Sequence, residues 1–266
     1  MSEQQPTRVA LVTGASRGIG RGIALALAAD GCDLMLTGRD TAALEAVAAK
    51  VRALGRKAAL HAADLTKDGA VAGLVGALRE AFGRLDILIN NAGAARRKAF
   101  LELTDADRRQ GFDLKLFAHV RLCQATWPLL TASRGSVVFI AGIGPRSAVA
   151  DYMVGASVVA AELVFMKALA DLGKRDGVQV NAVNPGSVDT DRFRLRLAAI
   201  MRKTGLDEAA AIEHHRQELD VTRFGTPEDI GALVRFMVSP QARWLQASAI
   251  DMDGGQLDPL RMARYD

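Results

Sequence analysis

Val9-Ala10-Leu11-Val12-Thr13-Gly14-Ala15-Ser16-Arg17-Gly18-Ile19-Gly20 decides the fold. Four apolar residues, two of them β-branched, read as a buried strand. It runs directly into a loop in which glycine recurs at Gly14, Gly18 and Gly20, and Arg21–Ala29 then has helical character. Glycine here lets the backbone turn tightly and come close to a ligand. It also leaves the first amides and the positive dipole end of the following helix pointing at whatever the loop holds. A strand–glycine loop–helix unit of this kind is a cradle for the paired phosphates of a dinucleotide, with Gly14, Ser16, Arg17, Gly18, Ile19 and Gly20 around it.

Outward from that unit the rhythm repeats. Strand-like runs at Asp33–Thr37, Ala58–Ala62, Ile87–Asn90, Ser136–Ile140, Gln179–Val183 and Ala249–Met252 join Val9–Val12. They are separated by stretches with apolar residues at three- and four-residue spacing, such as Leu44–Val47–Val51–Leu54 and Val71–Leu74–Leu78–Phe82. The alternation predicts an α/β fold: a Rossmann-type, doubly wound parallel sheet of about seven strands with helices on both faces. No repeat, low-complexity tract or linker interrupts it, so residues 1–266 read as a single domain. Half the residues are apolar and only 5% aromatic, which suits helices packed on a parallel sheet. The net charge of +4 is mild and the basic residues are scattered, so neither a nucleic-acid stripe nor a nucleic-acid partner is expected.

Cys32 and Cys123 sit in apolar surroundings and read as buried small hydrophobes in a reducing compartment. Met1–Arg8 is polar, without a secretory leader, and the longest apolar stretch, Ala148 to Ala170, is interrupted by Asp151, Glu162 and Lys167. A cytoplasmic protein with no membrane partner is therefore expected. Met153 to Gly173 is apolar on nearly every face. One side can cover the sheet and the other calls for a partner, a second copy of the chain as a homo-oligomer, the alternative being cover by the chain's own C-terminal segment.

The loop Thr13–Gly20 resembles the cofactor loop of the short-chain dehydrogenase/reductase family. Further signatures recur in order: Asp64-Leu65, Asn90-Asn91-Ala92-Gly93, Asn184-Pro185-Gly186-Ser187-Val188-Asp189-Thr190, Arg223–Ile230 and Asp251-Met252-Asp253-Gly254-Gly255. The similarity runs from Val9 to Gly255. It implies that Asp64 and Leu65 meet the adenine edge, that Asn90, Ala92 and Gly93 line the adenosine ribose, and that Pro185, Gly186, Val188 and Thr190 hold the nicotinamide end. It also implies a dimer or tetramer and a small-molecule substrate. An acid at the end of the second strand would favour NAD, but Thr37-Gly38-Arg39 stands there, with Gly38 in the acid's place and Arg17 nearby. Two guanidinium groups and no carboxylate suit a 2′-phosphate, so NADP is expected over NAD.

The catalytic positions depart from the family. Its tyrosine, which exchanges a proton while hydride passes to or from the nicotinamide, corresponds to Tyr152. Gly142 stands where the family has a serine, Ala156 where it has a lysine and Lys115 where it has an asparagine, and the segment between Gly142 and Tyr152 is short. A tyrosine near pKa 10 must fall by about three units to act as a base near neutrality, roughly 4 kcal/mol. An ammonium about 4 Å away supplies on the order of 4 kcal/mol at an effective dielectric near 20. Losing the lysine therefore removes a contribution as large as the whole shift. Lys115 suggests a substitute, its ammonium entering the volume freed at Ala156, the alternative being a lysine turned to solvent. Ser147 and Ser157 are the hydroxyls that could stand in for the serine.

The segment Asp191 to Arg223 falls where the family places its substrate lid. Arg192, Arg194, Arg196, Arg202 and Lys203 give it a basic face that would suit an anionic or acyl-phosphopantetheine-type substrate, or simply a wet surface. His61, His119, His214 and His215 lack zinc spacing, no metal is implied, and the His214-His215 pair reads as riding a solvated helix. Two functions compete: an NADP-dependent oxidoreductase acting on a carbonyl or secondary alcohol through Tyr152, and a non-catalytic dinucleotide-binding relative serving as a redox sensor or structural subunit.

Overall fold

A computed structural model describes residues 7–93, 97–146 and 148–256. Seven strands, β1 Val9–Thr13, β2 Asp33–Gly38, β3 Ala58–Ala62, β4 Ile87–Asn90, β5 Ser136–Ile140, β6 Gln179–Pro185 and β7 Ala249–Met252, form one sheet in the order β3-β2-β1-β4-β5-β6-β7. Every pairing is parallel. Each strand expected from the sequence is present. Three extend past their predicted ends, to Thr13, Gly38 and Pro185, because the ladders with neighbouring strands continue there, Pro185 for example opposing Met252.

The connecting helices are α1 Gly18–Ala29, α2 Thr41–Ala53, α3 Ala70–Phe82, α4 Asp105–Phe112, α5 Ala118–Ser133, α6 Met153–Asp176, α7 Asp191–Thr204, α8 Glu208–Glu218 and α9 Pro227–Met237. Alternation along the strands splits the core in two. Ala10 and Val12 face Ile23, Leu27, Leu44 and Val234 on one side of the sheet. Val9 and Leu11 face Leu74, Leu78, Leu122 and Met166 on the other. Each fully buried leucine contributes about 1.5–3 kcal/mol. Helices α1 and α9 touch through glycine: a Cβ at Gly22 would stand 2.5 Å from the Pro227 carbonyl oxygen.

Helix α6 corrects one expectation. By length and hydropathy Ala150–Asp176 does reach what a membrane crossing needs, with a mean hydropathy of 1.7 over its most apolar window. Half of that window is buried within the protein, where Val158, Val159 and Met166 meet the core and Glu162 is wholly enclosed. The charges that seemed to interrupt the stretch fall on two faces: Glu162 points inward, and Lys167 is exposed. On the outward face Val164 and Met153 are exposed.

Candidate functional site

Strand order reverses at β1, whose neighbours are β2 on one side and β4 on the other, so the crevice for a ligand opens beyond their carboxyl ends. Gly14 and Gly18 both adopt left-handed backbone, with φ of 63° and 52°. A Cβ at Gly20 would lie 2.2 Å from the Gly14 carbonyl oxygen, so the start of α1 abuts the loop directly. No side chain caps that helix and no acid occupies its first turn. Its leading amides and positive end are left for an anion, which is what a pyrophosphate requires.

The loop is braced from β4. Thr13 Oγ1 accepts from the amides of Asn91 and Ala92 at 2.8 and 2.9 Å, and Asn91 Nδ2 donates to the Thr13 carbonyl at 2.7 Å. Asn91 thus fixes the cradle's shape, a role hidden in sequence because both of its partners belong to a strand 78 residues earlier. Asn90 is fully buried, its Nδ2 donating to Cys123 Sγ at 3.3 Å and its Oδ1 unpartnered among the described residues. Burial pushes the Cys123 thiol up to about 12 and that of Cys32 to about 11, so neither is a nucleophile.

The other residues expected to bind the cofactor sit at or just after strand ends or on the first turn of α1. Gly18 abuts Thr190, whose Cγ2 would be 3.2 Å from an added Cβ, so the first loop meets the one that follows β6. Pro185 ends β6, the Gly186 amide donates to the Met252 carbonyl, and Val188 is buried against Gly225. Ser16 lies beside Gly38, while Ile19 packs on the core. Arg39 is exposed at the end of β2. The nearest acid, Asp40, is engaged in capping α2 by accepting from the Ala43 amide. Asp64 Oδ1 accepts from the hydroxyl and amide of Thr66, which hold its carboxyl below the usual range, and Leu65 is buried in the second core. Arg17 turns toward the lid, its Nη1 3.3 Å from Asp191 Oδ2.

Lys115 is not turned to solvent, and its ammonium is engaged elsewhere than at Tyr152. It lies in a π-helical turn, Asp113–Phe117, between α4 and α5, and is buried. Its Nζ donates to the Ile140 carbonyl at 2.9 Å and stands 3.2 Å from Glu162 Oε2. Glu162 Oε1 in turn lies 2.6 Å from His119 Nδ1. No hydrogen bond joins Lys115 to Tyr152 among the described residues. The stem of Lys115 runs beneath Gly93, where an added Cβ would meet Cδ at 3.3 Å. Gly144 lies against Ala156, so that a Cβ added there would stand 3.2 Å from the Ala156 Cα.

Tyr152 sits just ahead of α6, with its ring laid on glycine. A Cβ at Gly155 would be 2.1 Å from the ring's Cζ, and one at Gly144 3.4 Å from Cε1. The Arg97 guanidinium stands over the ring, its carbon 4.9 Å from the centroid. Ser157 is exposed on α6, and Ser147 lies outside the described residues.

In the segment expected to be the lid, α7 and α8 pack on a small core of Phe193, Leu197 and Ala211 with Phe224. The basic face divides in use: Arg192 donates to the Gly93 carbonyl at 3.1 Å, Arg194 pairs with Asp189, and Arg196 is half-buried. His215 corrects another expectation. Only His214 is exposed; His215 is fully buried, stacked on Phe193 and Phe224, with its Nδ1 2.8 Å from Glu218. Burial lowers its pKa below 6.5.

Comparison with known proteins agrees with this geometry. The family model described as enoyl-(acyl carrier protein) reductase matches residues 14–256. A hydroxynaphthalene reductase of Aspergillus fumigatus is 33% identical over 243 residues, covering 90% of this chain and 88% of its own. The L-sorbose reductase of Gluconobacter frateurii, solved with NADPH and L-sorbose, superposes with a TM-score of 0.90 at 28% identity, covering 97% of this chain and 99% of its own. A 7α-hydroxysteroid dehydrogenase solved with NADH gives a TM-score of 0.85 at 25% identity, with 95% of each chain covered.

Proposed function

Since the chain belongs to the short-chain dehydrogenase/reductase family of oxidoreductases, we propose that it interconverts a carbonyl and a secondary alcohol with NADP(H), Tyr152 exchanging the proton. The observation that carries this reading is the uncapped, acid-free start of α1, pressed against Gly14 by Gly20. The loop residues Gly14, Ser16, Arg17, Gly18, Ile19 and Gly20 would hold the pyrophosphate. Asp64, Leu65, Asn90, Ala92 and Gly93 would line the adenosine. Pro185, Gly186, Val188 and Thr190 would bound the nicotinamide end. Arg39, exposed where β2 ends and with Asp40 turned away to its helix, favours a 2′-phosphate over a bare hydroxyl.

NADPH, when bound, supplies the hydride. The protein's task is then to place a carbonyl near Tyr152 and deliver a proton to its oxygen. Lys115 serves as a buried cation at the floor of the site. Tied to the end of β5 and running under Gly93, it holds the two strand ends at which the ribose would rest. A second copy of the chain covers the outward face of α6 around Val164, as a dimer or tetramer.

The test is a panel of ketones and alcohols with NADPH and NADP, comparing the parent with Tyr152→Phe. Turnover by the parent that drops at least a hundredfold in the variant supports the reading. Tight NADPH binding without turnover on any substrate refutes the catalytic part, and no binding refutes the whole.

A further inference from the structure

Among the described residues, three features meet at Tyr152. Position 156, one helical turn beyond it, is alanine, and Gly144 lies against it. The buried lysine of the site is spent on Ile140 and Glu162. And the Arg97 guanidinium stands over the phenol ring at 4.9 Å from its centroid, inside the range in which a cation and an aromatic face attract.

Resting on the reading of Tyr152 given above, we propose that Arg97 is the cation that serves Tyr152, in place of the one absent at position 156. Arg97 belongs to a different element altogether, the segment after β4 that leads into the short turn Phe100–Glu102. Its placement is held by one neighbour, Asp151, which meets both Arg97 and the residue after it. Arg97 Nη1 bonds Asp151 Oδ1 at 2.7 Å, and the next residue's amide, that of Lys98, donates to the Asp151 carbonyl at 2.8 Å. The chain just before Tyr152 is thereby clamped to the segment carrying the arginine. Gly155 completes the arrangement from the other element, because any side chain there would displace the ring from its seat.

The charges around the ring settle what Arg97 can do. Asp151 offsets part of its charge. From the lid, Arg196 lies close enough to both Arg97 and Asp151 to feel each, with Glu218 near it, and His215 is held neutral by burial. Among the described residues, Arg97 is the cation over the ring itself. A guanidinium keeps its charge at every pH in which the protein is folded, so it stabilises negative charge developing on the phenol oxygen without titrating. It acts through Tyr152 and is a positioning residue.

The experiment is a titration that needs no substrate. The chain has two tyrosines, and Tyr265 lies outside the described residues. In a Tyr265→Phe background the near-ultraviolet absorbance of tyrosinate reports Tyr152 alone, with circular dichroism confirming the fold at each pH. Arg97→Gln should show about threefold less tyrosinate than the background protein at the same alkaline pH, Arg97→Lys should recover part of it, and Asp151→Asn should show more. In active preparations the basic limb of the rate profile should move by the same amount. Coincident titrations for Arg97→Gln and its background would overturn the proposal, even if Tyr152→Phe abolished turnover. A shift with no activity anywhere would uphold it while the catalytic reading fell.

Discussion

The Lys115–Glu162–His119 cluster permits a prediction in which single and double substitutions disagree. Glu162 is fully enclosed and its two oxygens are divided between Lys115 at 3.2 Å and His119 at 2.6 Å. Coulomb's law at that separation and an effective dielectric of about 20 gives an attraction of about 5 kcal/mol, against which the cost of removing both charges from water must be set. Lys115→Met leaves the carboxylate buried with one partner and should cost about 3 kcal/mol. Glu162→Leu strands an ammonium on a single carbonyl and leaves His119 Nδ1 unpaired, with a similar loss of about 3 kcal/mol. The double variant removes both charges and fills the space with hydrocarbon, so it should lose no more than about 2 kcal/mol, most of it the orphaned imidazole. Thermal melts read this as a drop of roughly 6–12 °C for either single variant and less for the pair. Losses that simply add would show that the cluster is not a coupled buried ion pair, and the reasoning would fail.

Three further outcomes follow from the geometry. Gly20→Ala places a methyl 2.2 Å from the Gly14 carbonyl and 2.5 Å from Asn91 Nδ2, so calorimetry should find NADPH affinity reduced by about thirtyfold or more, and unchanged affinity would contradict the cradle. Arg39→Ala should weaken NADPH by about tenfold or more while sparing NADH, since only the 2′-phosphate calls on the guanidinium; equal losses for both would refute that assignment. His215, held below 6.5 by burial despite the opposing pull of Glu218, takes up a proton more readily once unfolded. The stability it contributes is therefore complete above about pH 6.5 and is lost as the pH falls through the lower folded value. Melting temperature should thus drop more between about pH 7.5 and 5.5 in the parent than in His215→Phe, and parallel curves would remove His215 from the lid's pH response.

The sheet was legible in sequence because each strand is a short apolar run closed by a turn, a local signal. Ala58–Ala62, Ile87–Asn90 and Ser136–Ile140 fall where the pattern puts them. The cradle was legible for the same reason: Gly14, Gly18 and Gly20 are adjacent in the chain. The lid's apolar spacing also showed, Phe193 and Leu197 facing the small core that spacing implies. What did not show depends on partners far apart. From sequence Lys115 reads as able to reach Ala156, while its ammonium lies against Glu162 on another helix, and the π-helical turn that carries it leaves no mark in local composition. His215 looks like the twin of His214, yet one residue of helical rotation carries it between Phe193 and Phe224. Arg97 carries no motif at all, and only its position over the Tyr152 ring gives it significance.

The first turn of α7 reaches both banks of the crevice, through Arg17 to Asp191 on one side and Arg192 to the Gly93 carbonyl on the other. On the reading proposed above, a nucleotide seated between those banks would compete with these ties, so that its loading would be coupled to movement of the first turn of α7. Because the Arg17 pair is exposed, added salt weakens that tie.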